Sequence, residues 1–489
     1  MENLSTLDIP TPAYDRATLR TGIVHFGVGG FHRAHQAMYL DELMSSGQAL
    51  DWAICGVGVL PGDRRMYEVM QAQDHLYTLV IKHPDGRLEP RVIGSIADYL
   101  FAPNDPEAVV ARMADPGTRI VSLTVTEGGY HVHPVTGALD DRDENIRHDI
   151  QDPAAPPRTM FGFVTAALRR RRDAGTGPFT VMSCDNIQGN GDVAQKMITA
   201  FARLQDPELA AWIECEVAFP NSMVDRITPV TSDHDRALLS GRFGVADAWP
   251  VVCEPFTQWV LEDHFVGAAQ GRPAFEVVGV RLVPDVMPYE LMKLRLLNAG
   301  HQALCYLGYL AGYRYAHEVA QDELFADFLL AYMNREATPT LLPVPGVDLE
   351  AYKPNLIERF ANPEVRDTLA RLCAEASDRI PTFLLPVVRD QLAAGGELTR
   401  SALVVAAWAR YAMGADEEGR RLEVVDRRRE TVLAAAESPD GPAGFLRDTG
   451  VFAELADHPR FLQVYREQYE ALGRRGAKGA VAALARGAD

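Results

Sequence analysis

The stretch that most restricts how this chain can fold is a short apolar run ending in a cluster of glycines. Gly22-Ile23-Val24-His25-Phe26 leads directly into Gly27-Val28-Gly29-Gly30-Phe31-His32-Arg33. The run has the β-branched and aromatic character of a strand, and the apolar residues from Ala37 to Met44 follow with a helical pattern. A strand, a glycine turn and a helix in that order form the opening of a dinucleotide-binding unit. Gly27 would make the tight turn, and Gly29 would let backbone N–H groups approach a pyrophosphate at the helix N-terminus. The third glycine of the fingerprint is replaced by His32, so helix and strand are expected to pack less closely than in the standard pattern. A Gly-x-Gly turn also occurs for purely conformational reasons, so the motif needs company.

That company comes from the next segments. Trp52 to Gly58 reads as a second strand, and Asp63 is the first acid beyond it. An acid at this point holds the adenosine ribose hydroxyls and repels a 2′-phosphate, which points to NAD. Its distance from Gly29 is longer than the roughly 20 residues usual for this role. Arg64 and Arg65 beside it keep NADP as the less favoured alternative. Further strands are expected at Leu76 to Ile81, Arg119 to Val125, Phe179 to Ser183 and Val277 to Leu282, with helices at Pro106 to Ala114 and Val193 to Leu204. Such alternation predicts an α/β fold with a mostly parallel sheet covered on both faces.

Two strand ends carry polar clusters, Thr124-Val125-Thr126-Glu127-Gly128-Gly129-Tyr130 and Ser183-Cys184-Asp185-Asn186-Ile187-Gln188-Gly189. Ligands in open α/β sheets bind beyond the carboxyl ends of strands, so both clusters are candidates, with simple turn chemistry as the alternative. Phe219 to Pro229 and Val252 to Trp259 mix prolines with polar residues as cleft-lining loops do, although Asp225 and Arg226 could equally be a structural ion pair. Around Pro284-Asp285-Val286-Met287-Pro288 the pattern becomes helical to the end, apart from Thr338 to Gly346. The expected domains are therefore residues 1–284 and 285–489.

Within the second domain, Tyr289 to His301 places Lys293, Asn298 and His301 among Met292, Leu294, Leu296 and Leu297. On an α-helix at about 100° per residue, Asn298 lies about 140° and His301 about 80° from Lys293, roughly one half of the surface. A lysine in apolar company loses hydration in its charged form, which moves its pKa toward neutrality and makes it a usable general base. The alternative is a lysine reaching water and a core histidine.

Composition removes several other classes. The net charge of −19 argues against nucleic acid or an anionic membrane surface as partner, which leaves small molecules. Six dispersed cysteines without a Cys-x-x-Cys pair suggest reduced, buried thiols, and no histidine or cysteine spacing suggests a metal. The segment Met1 to Asp8 lacks a basic or apolar leader pattern and no run is long enough to span a bilayer, so a cytoplasmic protein is expected.

Together these stretches resemble the polyol-specific long-chain dehydrogenases, over nearly the whole chain from about Pro10. The likeness is carried by His25 to His35, Thr126 to Tyr130, Ser183 to Asn186, Phe219 to Pro229, Cys253 to Phe256, and Lys293 through Asn298 to His301. It implies an extended Rossmann-type N-terminal domain, a mainly α-helical C-terminal domain and an active site in the cleft between them. It also implies metal-independent hydride transfer between NAD and a secondary carbinol of a sugar alcohol, with a small polyol or ketose as the partner and a monomer or small homo-oligomer. By the same likeness Lys293 is the general acid/base, Asn186 and Asn298 donate to the oxyanion, His301 orients a hydroxyl, and Glu290 relays the proton. Asp225, Arg371 and Arg379 would contact substrate. Ile23, Gly27, Val28, Gly29, Gly30, Phe31, His32, Arg33, Asp63, Glu127 and Asn186 would contact the cofactor.

The chain departs from the family at Arg379, where a lysine often precedes the Ile-Pro or Phe-Pro step, and the two cations are not interchangeable. Tyr289-x-x-x-Lys293 also matches the catalytic pair of short-chain dehydrogenases, but it lies too far from the glycine turn for that family. The favoured reaction is D-mannitol oxidation to D-fructose. D-arabinitol 4-dehydrogenation and fructuronate or tagaturonate reduction are the rivals, and a non-catalytic NAD-binding sensor is the reading from a different class.

Overall fold

The computed structural model of the chain describes residues 9–133 and 136–486. The leader reading on Met1 to Asp8 falls outside them. The chain divides into two compact units after Met287.

The first unit is built on a five-stranded parallel sheet of β1 (Thr21–Phe26), β2 (Ala53–Gly58), β5 (Ile96–Phe101), β6 (Ile120–Leu123) and β7 (Thr180–Ser183) in the order β5-β2-β1-β6-β7. Strand residues alternate between two cores, as a sheet covered on both faces requires. Val24, Phe26, Val57, Val121, Leu123 and Val181 join one core, while Ile23, Ile54, Ile120 and Met182 join the other. The strand order reverses at β1, so the crevice beyond the carboxyl ends of β1 and β6 is the topological switch point where such sheets bind ligands.

Two expected strands lie outside this sheet. β3 (Tyr77–Lys82) pairs antiparallel with β4 (Leu88–Ile93) and parallel with β9 (Val251–Cys253). β10 (Gln258–Glu262) pairs antiparallel with β8 (Ser222–Asp225) and parallel with β11 (Arg281–Val283). The strand expected at Val277 to Leu282 is corrected: Phe275–Val278 is a 3-10 turn closed by Gly279 at φ 91°, and pairing begins only at Arg281. A left-handed glycine ends a helical turn readily and cannot continue a strand.

The second unit is helical, and residues 415–428 leave the helical pattern besides the proline-rich segment read from sequence. Its helices include Ala299–Leu310, Glu323–Tyr332, Leu385–Ala394 and Thr399–Tyr411. Among the described residues three π-turns interrupt it, at Lys293–Asn298, Met333–Ala337 and Ile380–Leu384. The first packs against both of the others. No helix among the described residues is long and apolar enough to cross a membrane. Five of the six cysteines are buried, while Cys215 is exposed, a correction to the expectation of buried thiols throughout.

Candidate active site

In the first unit, β1 ends in a turn that only glycine can make. Gly27 sits at φ 88°, and a Cβ added there would lie 2.1 Å from Thr124 O. At Gly29 the same test meets nothing nearer than Gly27 O at 3.8 Å, so its Cα faces open space. The short helix Gly30–Ala34 follows. This is the cradle a dinucleotide pyrophosphate needs: a tight turn, then an unobstructed backbone approach.

The missing third glycine has a physical replacement. His32 is buried and stacks on the ring of His25, with centroids 3.4 Å apart and planes 13° from parallel. His25 in turn contacts Ser122 Oγ at 2.8 Å and Thr124 Oγ1 at 2.9 Å. Burial pushes His25 down to about 3 and His32 well below the ordinary histidine value, so both rings are neutral. The side chain of Arg33 faces the interior: it donates to Gly29 O at 3.3 Å and to Trp249 O, with its guanidinium over the Tyr77 ring.

Asp63 lies in the 3-10 turn Pro61–Asp63 that follows β2. Its Oδ2 accepts from the N–H groups of both Val59 and Leu60 at 2.9 Å, which fixes the carboxylate at the strand end. The long spacing from Gly29 arises because two helices, Gly30–Ala34 and Gln36–Ser45, occupy the crossover.

The two polar clusters beyond β6 and β7 are tied together by a residue that the sequence reading did not single out. Asp185 accepts from Thr126 N at 2.8 Å, Val125 N at 3.2 Å and the Tyr130 hydroxyl at 2.7 Å. Burial raises its carboxyl to about 6 despite these donors. Nothing local marks it, because its partners come from another strand end. Glu127 and Asn186 are exposed on these two loops. Asn190, which opens the next helix, anchors the second loop by donating to Asp185 O at 3.0 Å and Ser222 O at 2.8 Å. Asp225 is buried at the end of β8. Its neighbour Arg226 donates to Ala34 O at 2.7 Å and to Glu254 O at 3.1 and 3.2 Å.

In the second unit, the helix expected from Tyr289 to His301 is only partly α. Met287–Met292 is α-helical, Lys293–Asn298 is a π-turn, and Ala299–Leu310 is α-helical again. The separation of about 140° between Lys293 and Asn298 that an α-helix implies is thereby corrected. In an i→i+5 ladder the residue five on returns to the same face. His301 then lies three residues beyond Asn298, the spacing of same-face neighbours on an α-helix.

Lys293 is only 8% exposed, and Glu290 is also buried. The amide oxygen of Asn298 is buried without a hydrogen-bond partner, an orphan that a bound hydroxyl group would satisfy. His301 packs its ring on Phe360 with centroids 4.2 Å apart. Tyr289 donates its hydroxyl to Pro345 O at 2.8 Å, an internal role.

Arg371 forks onto Asp367, its Nε donating to Oδ1 at 2.6 Å and its Nη2 to Oδ2. Arg379 donates to the carbonyls of Arg371 and Leu372 at 3.1 and 3.0 Å. Among the described residues no three His, Cys, Asp or Glu side chains are grouped so as to hold a metal.

The comparisons with known proteins cover both units. Residues 21–276 match the mannitol dehydrogenase Rossmann domain and residues 285–473 the mannitol dehydrogenase C-terminal domain. The chain is 47% identical to a mannitol 2-dehydrogenase of Phaeosphaeria nodorum over 99% of its own length and 85% of that protein's. It is 48% identical to one of Neosartorya fischeri, over 93% and 91% of the two chains. Among solved structures it is similar to the Pseudomonas fluorescens mannitol 2-dehydrogenase in ternary complex with NAD and D-mannitol. The TM-score there is 0.89 at 46% identity, with 99% of each chain covered. A substrate-free D-sorbitol dehydrogenase superposes with a TM-score of 0.90 at 39% identity, over 98% of this chain and 99% of that one.

Proposed function

The chain belongs to the mannitol dehydrogenase family, and on that footing we propose that it interconverts D-mannitol and D-fructose with NAD as the redox partner. The observation that carries the proposal is the buried Lys293 sharing one π-turn with Asn298, whose amide can donate to a substrate oxygen. Oxidation of a carbinol removes a proton from oxygen and a hydride from carbon, leaving a ketone. As the proposed general base Lys293 takes the hydroxyl proton, and Glu290 passes it on to solvent. Asn186 and Asn298 donate amide N–H to the oxygen as it becomes alkoxide-like, which they can do without titrating. His301 orients a neighbouring hydroxyl.

NAD, when bound, supplies the hydride acceptor. The backbone from Gly27 to Arg33, Asp63, Glu127 and Asn186 would hold it, and the open face of Gly29 fits that role, whereas Ile23, expected as a contact, is fully buried in the sheet core and does not offer one. Asp63, set at the end of β2, favours an unphosphorylated ribose and so NAD over NADP. Asp225, Arg371 and Arg379 are the proposed substrate contacts. Arg371 is already forked onto Asp367, so its charge is compensated and it is not the free cation that a hexuronate carboxylate needs. This favours an uncharged polyol over fructuronate or tagaturonate.

The test is nicotinamide absorbance with the purified protein offered D-mannitol, D-arabinitol and D-sorbitol with NAD or NADP, and fructuronate with the reduced cofactors. D-mannitol with NAD is expected to give the highest kcat/KM. Lys293→Ala is expected to abolish turnover while NAD binding persists, and loss of both together would remove the catalytic assignment.

A further inference from the structure

A π-turn exposes part of its own ladder. At its end the Ala299 N–H donates to Leu294 O, five residues back, and the helix then resumes its four-residue register. The next carbonyl in line, Arg295 O, accepts a hydrogen bond from the Tyr332 hydroxyl at 3.1 Å. Both groups are buried, and a buried carbonyl left without a donor is costly. The Arg295 side chain is also tied down, donating to Thr340 O at 2.6 Å and pairing with Asp390 at 2.6 Å.

Tyr332 is itself rigidly held. It immediately precedes the second π-turn, Met333–Ala337, which packs against the first. Glu336 in that second turn is fully buried and accepts from Arg400 N at 2.7 Å, Ser401 N at 2.8 Å and Ser401 Oγ at 2.6 Å, at the start of the helix Thr399–Tyr411. Burial raises the Tyr332 phenol well above its ordinary value, so it remains a donor wherever the protein works.

We infer that Tyr332 is a positioning residue whose hydroxyl holds the Lys293–Asn298 turn in its π register, keeping base and amide on one face. The inference rests on the reading of Lys293 as the base. If the ladder closed to an α-helix, the two side chains would part by about 140° and could no longer converge on one oxygen.

Tyr332→Phe removes only the hydroxyl and keeps the buried ring. The measurement is the single-turnover rate of NADH formation with D-mannitol, normalised to the concentration of NAD-binding sites so that misfolded protein does not count. That rate is expected to fall about tenfold, with NAD affinity unchanged and the ionising limb of the pH–rate profile displaced. In an Asn298→Ala background the same substitution is expected to change the rate by less than about twofold, because both act on one arrangement. Asp390→Asn, which loosens the Arg295 tie from its half-exposed end, should lower the rate in the same direction by less, and it serves if Tyr332→Phe does not fold.

A wild-type rate per site and an unmoved pH profile in Tyr332→Phe, with Lys293→Ala inactive, would overturn the positioning role alone, even if the melting temperature fell. Turnover surviving in Lys293→Ala would overturn the reading of Lys293 and this inference with it.

Discussion

Burial acts on an ionisable group in a direction that can be measured. Asp185 is the clearest case. Its carboxyl is raised to about 6 in the folded protein against 3.8 for the ordinary group, so the native state binds this proton more tightly than the unfolded chain. Stability from this group is therefore greatest below about pH 4 and declines as pH rises to about 6, by about 3 kcal/mol in all. Asp185→Asn removes that slope. The difference in melting temperature, variant minus wild type, is expected to become more positive between pH 4 and pH 7 and then level off. A difference that stays flat across that range would show that Asp185 ionises as freely in the fold as out of it. Lys293, Asn298 and His301 could be singled out as candidates in the sequence because a base and an amide stand out inside an apolar run. Asp185 could not, because its three donors come from residues 125, 126 and 130, which adjoin it only once β6 and β7 pair.

At the scale of elements, the strand-turn-helix at Gly22 to Gln36 was legible since it depends on local sterics. The π-turn was not, because five-residue and four-residue ladders differ by one hydrogen bond and leave no periodic mark over six residues. The His25–His32 stack that replaces the third fingerprint glycine was likewise hidden, being a contact between strand and helix. The two glycines of the turn do different work, and substitution separates them. Gly27→Ala forces a Cβ against the Thr124 carbonyl at a positive φ, so the turn cannot form and the protein is expected to be unfolded or insoluble. Gly29→Ala meets no protein atom closer than 3.8 Å. It is expected to leave the melting temperature of the free protein within about 3 °C while weakening NAD by about tenfold or more, since the new methyl occupies the backbone approach. Calorimetric titration with NAD and a thermal melt of each variant read the two effects apart. Gly29→Ala binding NAD as wild type does would displace the pyrophosphate from this turn.

For the molecule as a whole, the acidic composition narrowed the partners to small molecules but could not choose among polyols, a choice made by few side chains. What the whole chain does bear on is how alkoxide charge is handled. A divalent ion bound to a substrate hydroxyl would acidify the proton and polarise the oxygen at once. In the proposed mechanism those two tasks fall to an amine and an amide that occupy one π-turn, Lys293 and Asn298. No three-membered His, Cys, Asp or Glu group among the described residues competes for them. Turnover should then be insensitive to chelation: after exhaustive dialysis against EDTA, kcat with D-mannitol and NAD is expected to stay within about twofold of the undialysed enzyme, and added zinc should not raise it. Activity lost on dialysis and restored by one equivalent of a divalent metal would transfer the polarising role from the amide to an ion, and Lys293 would then be needed only to orient the substrate.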